Sequence, residues 1–165
     1  MNLFLHLFIH IALSLLAGFI VWKLWQKPVA SFVAGIVGGF LVDLDHVIDY
    51  FLAFGWNIRL DYFAKGYQFL KSDKIYVLLH GWEYVIILAV LAIWVLKNKT
   101  AKSVILALAL GLFFHLGFDA SANEGAKFST YSIANRMHKN FELKDLVTPE
   151  HYLDHQARKK LINFE

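Results

Sequence analysis

Histidines and carboxylates interrupt the apolar runs of this sequence, where ionisable side chains are expensive and mark functional sites by default. These residues are His10, Asp43, Asp45, His46, His80, Glu83, His115 and Asp119. Imidazole and carboxylate groups are typical ligands of Zn²⁺, Mn²⁺ and Fe²⁺. Because the sequence contains no cysteine, a metal ion would have to be held by nitrogen and oxygen atoms alone. We predict a site for one or two divalent cations, with Zn²⁺ first and Mn²⁺ or Fe²⁺ as alternatives.

The spacing of these residues indicates which of them cooperate. Three pairs are three or four residues apart and so share a helical face: His115 with Asp119, His80 with Glu83, and Asp43 with His46. The predicted metal ligands are His10, Asp43, His46, His80, His115 and Asp119.

Other candidates have different predicted roles. Asp45 points about 200° away from Asp43 on a regular helix. Unless the helix unwinds there, we expect one of the two carboxylates to bind metal directly and the other to contact a metal ligand. Asp45 or Glu83 is expected to be the catalytic general base. His6 lies nearer the helix end and is not included among the ligands, while Asp49 is expected to reach water.

The composition is that of a membrane protein. Of the 165 residues, 58% are hydrophobic and 18% are charged, and the mean hydropathy is +0.51, which lies outside the ordinary soluble range. The formal charge of +3 is modest and no long basic tract is present, so we predict no nucleic-acid partner. The absence of cysteine also excludes a disulfide framework.

The apolar runs predict an all-α fold, an antiparallel bundle of about four transmembrane helices, because each run approaches the length that crosses a bilayer. The spans are expected over residues 3–22, 29–55, 75–96 and 103–119. The first run is too long for the apolar part of a cleaved signal peptide and lacks a basic start. We therefore expect a transmembrane domain over 1–121, with an interfacial connection at 57–74.

The remaining residues, 122–165, are predicted to form a polar tail packed at the membrane interface. Thr148 and Pro149 are typical of a helix start, as N-cap and first helical residue. His151 and His155 in this tail helix are four apart and could bind metal, but we expect a solvated or interfacial helix face.

The polar residues are expected to meet at one depth of the bundle. At 1.5 Å per helical residue, His10, Asp43, Glu83 and His115 lie roughly 18–21 Å from the basic turns of their helices. Unpaired acids at that depth would cost several kcal/mol each. A divalent cation is the simplest compensation.

The order of these motifs resembles a known family. His10, LVDLDH at 41–46, LHGWE at 79–83 and FHLGFD at 114–119 are similar to the motifs of the YdjM-like family of bacterial inner-membrane proteins, described as membrane-bound metal-dependent hydrolases. Val42 stands where that family usually has proline, and Gly81 where serine often follows the histidine. The HxxxD pair is also distantly similar to zinc-dependent phospholipase C and P1-type nucleases, which implies phosphoester chemistry.

The resemblance extends into the tail, where Tyr131, Arg136 and Phe141 are similar to a YxxxxRxxxxF segment. It makes Arg136 a candidate for substrate phosphate binding, with an interfacial or solvated arginine as the alternative. The expected function is a hydrolase acting on a lipid or lipid-linked phosphate. The alternatives are a non-catalytic membrane protein that transports or senses a cation or protons, and a structural role for the polar cluster as contacts between helices.

The expected location is the bacterial inner membrane, with several spans. The tight turns carry lysines and no acids, so the positive-inside rule places the turns in the cytoplasm and the metal site on the outer side.

Overall fold

The computed structural model describes residues 3–95, 97–162 and 164, and helices dominate this part of the chain. Its α-helices, in chain order, are α1 (Leu3–Trp25), α2 (Pro28–Gly39), α3 (Asp45–Phe54), α4 (Leu60–Ala64), α5 (Tyr67–Ser72), α6 (Trp82–Trp94), α7 (Lys99–Ala122), α8 (Ile133–His138), α9 (Leu143–Leu146) and α10 (Pro149–Lys160). Two 3₁₀ helices span Leu41–Leu44 and Phe128–Tyr131. The all-α prediction is confirmed.

The chain divides into two compact units. Unit 1 comprises the described residues up to Asp43 together with Gly81–Ala122, and it contains α1, α2, α6 and α7. Unit 2 comprises Leu44–His80 and the described residues from Asn123 onward. The division differs from the predicted domains, because the polar tail packs with the middle of the chain.

Two helices of the described chain, α1 and α7, are long and apolar enough to cross a membrane. The broken pair Pro28–Gly39 and Leu41–Phe54 makes a third candidate if it counts as one span. These helices indicate membrane association, and they agree with the predicted first and fourth spans. The fourth apolar helix, α6, has 13 residues, which gives about 20 Å of helix. A bundle of four transmembrane helices therefore stays a prediction.

The prediction of a span that begins at residue 75 is wrong. Residues 75–81 are not helical, and α6 begins only at Trp82. The last residue of that predicted span, Leu96, lies outside the described residues.

Carboxylates of unit 2 take the place of helical hydrogen bonds in this irregular segment. The N–H groups of Tyr76 and Val77 donate to the Asp49 carboxylate at 3.1 and 3.2 Å, and the N–H of Leu79 donates to Asp45 at 2.7 Å. These contacts satisfy buried backbone donors that a helix would otherwise satisfy. Asp49 is only 4% exposed, so the expectation that it reaches water is also wrong.

The second predicted helix is interrupted next to the acidic cluster. α2 ends at Gly39, and the N–H of Asp43 bonds to the carbonyl of Phe40 at 3.3 Å. This is the tighter bonding pattern of a 3₁₀ helix. The angle expected between Asp43 and Asp45 on a regular helix therefore does not apply.

Small residues let α2 approach its neighbours closely. A Cβ atom at Gly35 would lie 2.6 Å from the carbonyl oxygen of Ser14 in α1, and one at Gly111 in α7 would lie 2.7 Å from the carbonyl oxygen of Gly35. The buried hydroxyls of Ser31 and Ser103 bond at 2.7 Å and join α2 to α7. Larger side chains at the two glycines would separate the helices.

The two basic turns of unit 1 lie at the same end of it. The ammonium group of Lys102, near the start of α7, is 4.7 Å from the ring centroid of Trp25, the last residue of α1. Depths counted from these turns can therefore be compared directly between α1 and α7.

Unit 2 joins the polar tail to the middle of the chain. Lys74 forms an isolated antiparallel bridge with Glu142. At the start of α10, the side chain of Thr148 accepts a hydrogen bond from the N–H of His151, and Pro149 follows it. The predicted start of the tail helix is confirmed.

Asp73 anchors α10 within unit 2. Its Oδ1 accepts from His155 Nε2 at 2.9 Å, and its Oδ2 accepts from Lys159 at 2.5 Å. His155 is 6% exposed, so of the two expected positions the solvated one is wrong for this residue, and the interfacial one stays a prediction. Burial raises the pKa of Asp73, but the hydrogen bonds from Lys159 and His155 outweigh it and hold that pKa below its usual value. Burial lowers the pKa of His155.

Candidate metal centre

Five ligand-type side chains lie together inside unit 1. α1 contributes His6 and His10, α7 contributes His115 and Asp119, and the 3₁₀ segment after α2 contributes Asp43. His10 and His115 are fully buried, Asp119 is 3% exposed, and the side chain of Asp43 is 17% exposed. Four of the six predicted ligands therefore meet within this unit.

His6 is the candidate that the sequence did not predict. It precedes His10 by one turn on the same helical face, which is the spacing that pairs His115 with Asp119. Its side chain is 21% exposed, so it forms the accessible rim of the cluster. The four-residue spacing from His10 could have identified His6 as a ligand, but its position near the helix end favoured a role at the membrane interface.

The end of α2 fixes the orientation of His115. Because the N–H of Asp43 bonds to Phe40, it does not take up the carbonyl of Gly39, as a continued α-helix would require. That carbonyl accepts from Nδ1 of His115 at 2.9 Å. A carbonyl can only accept, so Nδ1 carries a proton, and in the neutral ring the lone pair is on Nε2. Nε2 in turn lies 3.4 Å from carboxylate oxygens of both Asp43 and Asp119.

Both oxygens of Asp119 face imidazole nitrogens. Its Oδ1 lies 3.1 Å from Nε2 of His10 and 3.4 Å from Nε2 of His6, whereas its Oδ2 lies 3.4 Å from Nε2 of His115. The Nε2 atoms of His6 and His10 are 2.8 Å apart. The carboxylate thus lies between histidines of α1 and a histidine of α7.

These separations fit a coordination sphere. Ligand atoms about 2.1 Å from an ion are about 3.4 Å apart in a tetrahedron and about 3.0 Å apart as octahedral neighbours. Within unit 1, two groups have ligand atoms that all lie within 4.8 Å of one another: His6, His10 and Asp119, and His10, Asp43 and His115. Buried His/Asp groups in this unit could therefore hold a metal ion, and their N/O chemistry excludes metals that require thiolate.

The other two predicted ligands, His46 and His80, lie in unit 2. Their ring centroids are 5.1 Å apart. Nδ1 of His80 bonds to Oδ2 of Asp45 at 3.0 Å, and the same oxygen accepts the N–H of Leu79. Asp45 therefore orients His80 in the way that carboxylates orient metal-binding histidines. The prediction that all six ligands share one centre stays a prediction.

Arg136 is fully buried in unit 2. Its Nη1 donates to the carbonyl of Thr130 at 2.6 Å, and its Nη2 donates to the carbonyls of Val77 and His80 at 3.0 and 2.8 Å. The expectation of a solvated or interfacial arginine is wrong. These contacts fasten the irregular segment before α6 to the tail through both terminal nitrogens of the guanidinium group, and phosphate binding by Arg136 stays a prediction.

Glu83 lies in the first turn of α6 and is half-buried. A carboxylate there interacts favourably with the positive end of the helix dipole. Among residues 3–95, 97–162 and 164, Glu83 belongs to none of the potential metal-binding groups. Its role as a general base stays a prediction, as does that of Asp45.

These features define an all-helical protein with two or three candidate membrane spans and buried His/Asp groups that could hold a metal ion. Comparison of the chain with protein-family models, with curated proteins and with solved structures finds no match. Membership of the YdjM-like family therefore stays a prediction.

Proposed function

We propose that this protein is a membrane-embedded, metal-dependent hydrolase of phosphate esters in lipids or lipid-linked molecules. The observation that carries the proposal is the orientation of His115. Its Nδ1 is bound to the carbonyl of Gly39, and its Nε2 faces the carboxylates of Asp43 and Asp119, each at 3.4 Å. An imidazole nitrogen and two carboxylates that converge in a buried site are typical ligands of a divalent cation, and the cation would balance their negative charge.

The proposed ligands are His10, Asp43, His115 and Asp119. The two carboxylates supply the negative charge that a bound cation requires among apolar helices. A bound Zn²⁺ ion lowers the pKa of its water towards neutrality and supplies hydroxide for attack on a phosphoryl group. Mn²⁺ and Fe²⁺ suit the same donors.

The candidate spans of α1 and α7 support a lipid or a lipid-linked small molecule as the substrate. The motif order similar to the YdjM-like family supports hydrolysis rather than another reaction, and it supports the bacterial inner membrane as the location. We place the lysine turns in the cytoplasm and the metal centre on the outer side, following the positive-inside rule. The turn lysines are Lys23, Lys27, Lys97, Lys99 and Lys102.

The proposal is tested with the zinc-loaded protein in vesicles that contain phosphatidic acid, a phosphomonoester, and phosphatidylglycerol, a phosphodiester. We expect hydrolysis to release a phosphorus-containing product or an alcohol. Chelation should stop the reaction, and added Zn²⁺ should restore it. His115→Ala and Asp43→Asn should reduce turnover roughly 100-fold or more, since even partners of metal ligands contribute 10–100-fold. His138→Gln is the matched control, because His138 is an exposed histidine in α8.

Two outcomes would contradict the proposal. Protein without bound metal, unaffected by these substitutions, would leave the polar cluster a structural role. Metal-bound protein that hydrolyses neither lipid but carries cations or protons across the vesicle membrane would favour transport or sensing.

A further inference from the structure

Two histidine rings of the candidate metal centre are stacked. The rings of His10 and His115 have centroids 3.9 Å apart and planes inclined by 25°. The lone pair of an imidazole nitrogen lies in the ring plane, so a bound ion is held close to that plane. The two lone pairs therefore lie in different planes, which suits two ions better than one.

We propose that unit 1 binds two metal ions bridged by the carboxylate of Asp119, which deepens and rests on the function proposed above. The first ion is held by His6, His10 and Oδ1 of Asp119. The second is held by His115, Asp43 and Oδ2 of Asp119. Each histidine then directs its lone pair at its own ion.

The first set of atoms has the dimensions of a metal site. Nε2 of His6, Nε2 of His10 and Oδ1 of Asp119 form a triangle with sides of 2.8, 3.1 and 3.4 Å. The point equidistant from them lies about 1.8 Å from each, so an ion with bonds of about 2.1 Å fits about 1.1 Å above their plane. Because His6 is the exposed member, the first ion lies at the rim.

The second set of ligand atoms includes Oδ2, the other carboxylate oxygen of Asp119. Nε2 of His115 lies 3.4 Å from Asp43 and 3.4 Å from Oδ2 of Asp119, which is the separation of about 3.4 Å expected for tetrahedral ligands. Two ions about 3.5–4 Å apart act together on the attacking and leaving oxygens of a phosphoryl group. The two-ion centre thus agrees with the phosphate-ester substrates proposed above.

The test is metal stoichiometry combined with magnetic coupling, measured on the purified full-length chain in detergent. The protein is loaded with Mn²⁺ and desalted, and then bound metal and the electron paramagnetic resonance spectrum are recorded. We expect two Mn²⁺ per chain with a spin-coupled spectrum. His6→Gln should retain about one Mn²⁺ with an uncoupled spectrum, and the control His138→Gln should keep two coupled ions.

The outcomes separate this inference from the proposed function. One Mn²⁺ per chain, or two without coupling, overturns the two-ion centre and assigns His10 as a hydrogen-bond donor to Asp119, while phosphoester turnover by that protein would still support hydrolysis. Two coupled ions without turnover support the two-ion centre and overturn the hydrolase. If His6→Gln fails to fold, the wild-type stoichiometry and coupling decide the inference by themselves.

Discussion

A methyl group at Gly111 tests whether the packing of α7 against α2 sets the geometry of the metal centre. Gly111 lies one turn before His115, and a Cβ atom there would be 2.7 Å from the carbonyl oxygen of Gly35. Ordinary contact begins at 3.4 Å, so Gly111→Ala requires a separation of about 0.7 Å between the helices. The 2.9 Å bond from His115 to Gly39 would lengthen to about 3.6 Å, beyond hydrogen-bonding range.

Both stability and metal affinity should fall. Overpacking typically costs about 1–3 kcal/mol and a lost hydrogen bond about 0.5–1.5 kcal/mol, so we expect the free energy of unfolding to drop by about 1.5–4.5 kcal/mol. Loss of the bond that orients a metal-binding histidine lowers metal affinity by roughly 10–100-fold.

Gly117 provides the matched control in the same helix. Within the described part of the chain, a Cβ atom at Gly117 meets nothing closer than 4 Å. Gly117→Ala should therefore leave zinc affinity unchanged and stabilise the helix by up to about 1 kcal/mol.

Zinc affinity is measured by competition with a chromogenic chelator, and unfolding is followed by circular dichroism in detergent. Equal zinc affinity of the two alanine variants, with only Gly111→Ala destabilised, would refute the link between helix packing and metal binding. Equal stability of the two would refute the close packing itself.

Two further predictions concern unit 2. Arg136→Lys should destabilise the protein by roughly 3 kcal/mol or more in chemical unfolding, because lysine cannot reproduce the planar fork that serves three buried carbonyls; an unchanged midpoint would contradict the observed contacts. Acid should destabilise unit 2 in two stages. Burial lowers the pKa of His155 in the folded protein. As the pH falls, the unfolded chain therefore binds a proton at this residue before the folded protein does, and stability decreases below about pH 6.5. The pKa of Asp73 is lowered by Lys159 and His155 against the opposing effect of burial, so its contribution is present above about pH 3.9 and is lost as pH falls through its native pKa. Asp73→Asn should remove the second stage, the loss of thermal stability below about pH 3.9, and an unaltered profile in that range would contradict this account.

Much of unit 1 was predictable from local sequence. The lengths of the apolar runs indicate α1 and α7, because a long apolar run without charges is typical of a membrane span. The four-residue spacing of His115 and Asp119 places them on one face, as the structure has them. Their proximity to His10 and Asp43 was predictable because all these residues lie at a similar depth along their helices.

The irregular segment before α6 could not be predicted in this way. Residues 75–81 are as apolar as a helix, but the carboxylates of Asp45 and Asp49 bind their backbone N–H groups. Such contacts join residues about thirty positions apart, and hydrophobic periodicity contains no information about them. The burial of Arg136 has the same origin, since its partners are carbonyls of that segment.

The orientation of His115 also depends on structure beyond the sequence pattern. Its partner is a backbone carbonyl, released where α2 ends at Gly39. The sequence shows glycines at that point, but it does not show that the carbonyl faces α7. The tautomer of His115, and hence its suitability as a ligand, became apparent only from the helix end.

X-ray absorption at the zinc edge, on the zinc-loaded chain, tests the central claim most directly. We expect a first shell of nitrogen and oxygen atoms at about 2.0–2.1 Å, with the outer-shell scattering of imidazole rings, and loss of part of that scattering in His115→Ala. A spectrum of zinc surrounded by water oxygens without imidazole scattering, unchanged in the variant, would show that the His/Asp cluster does not bind metal.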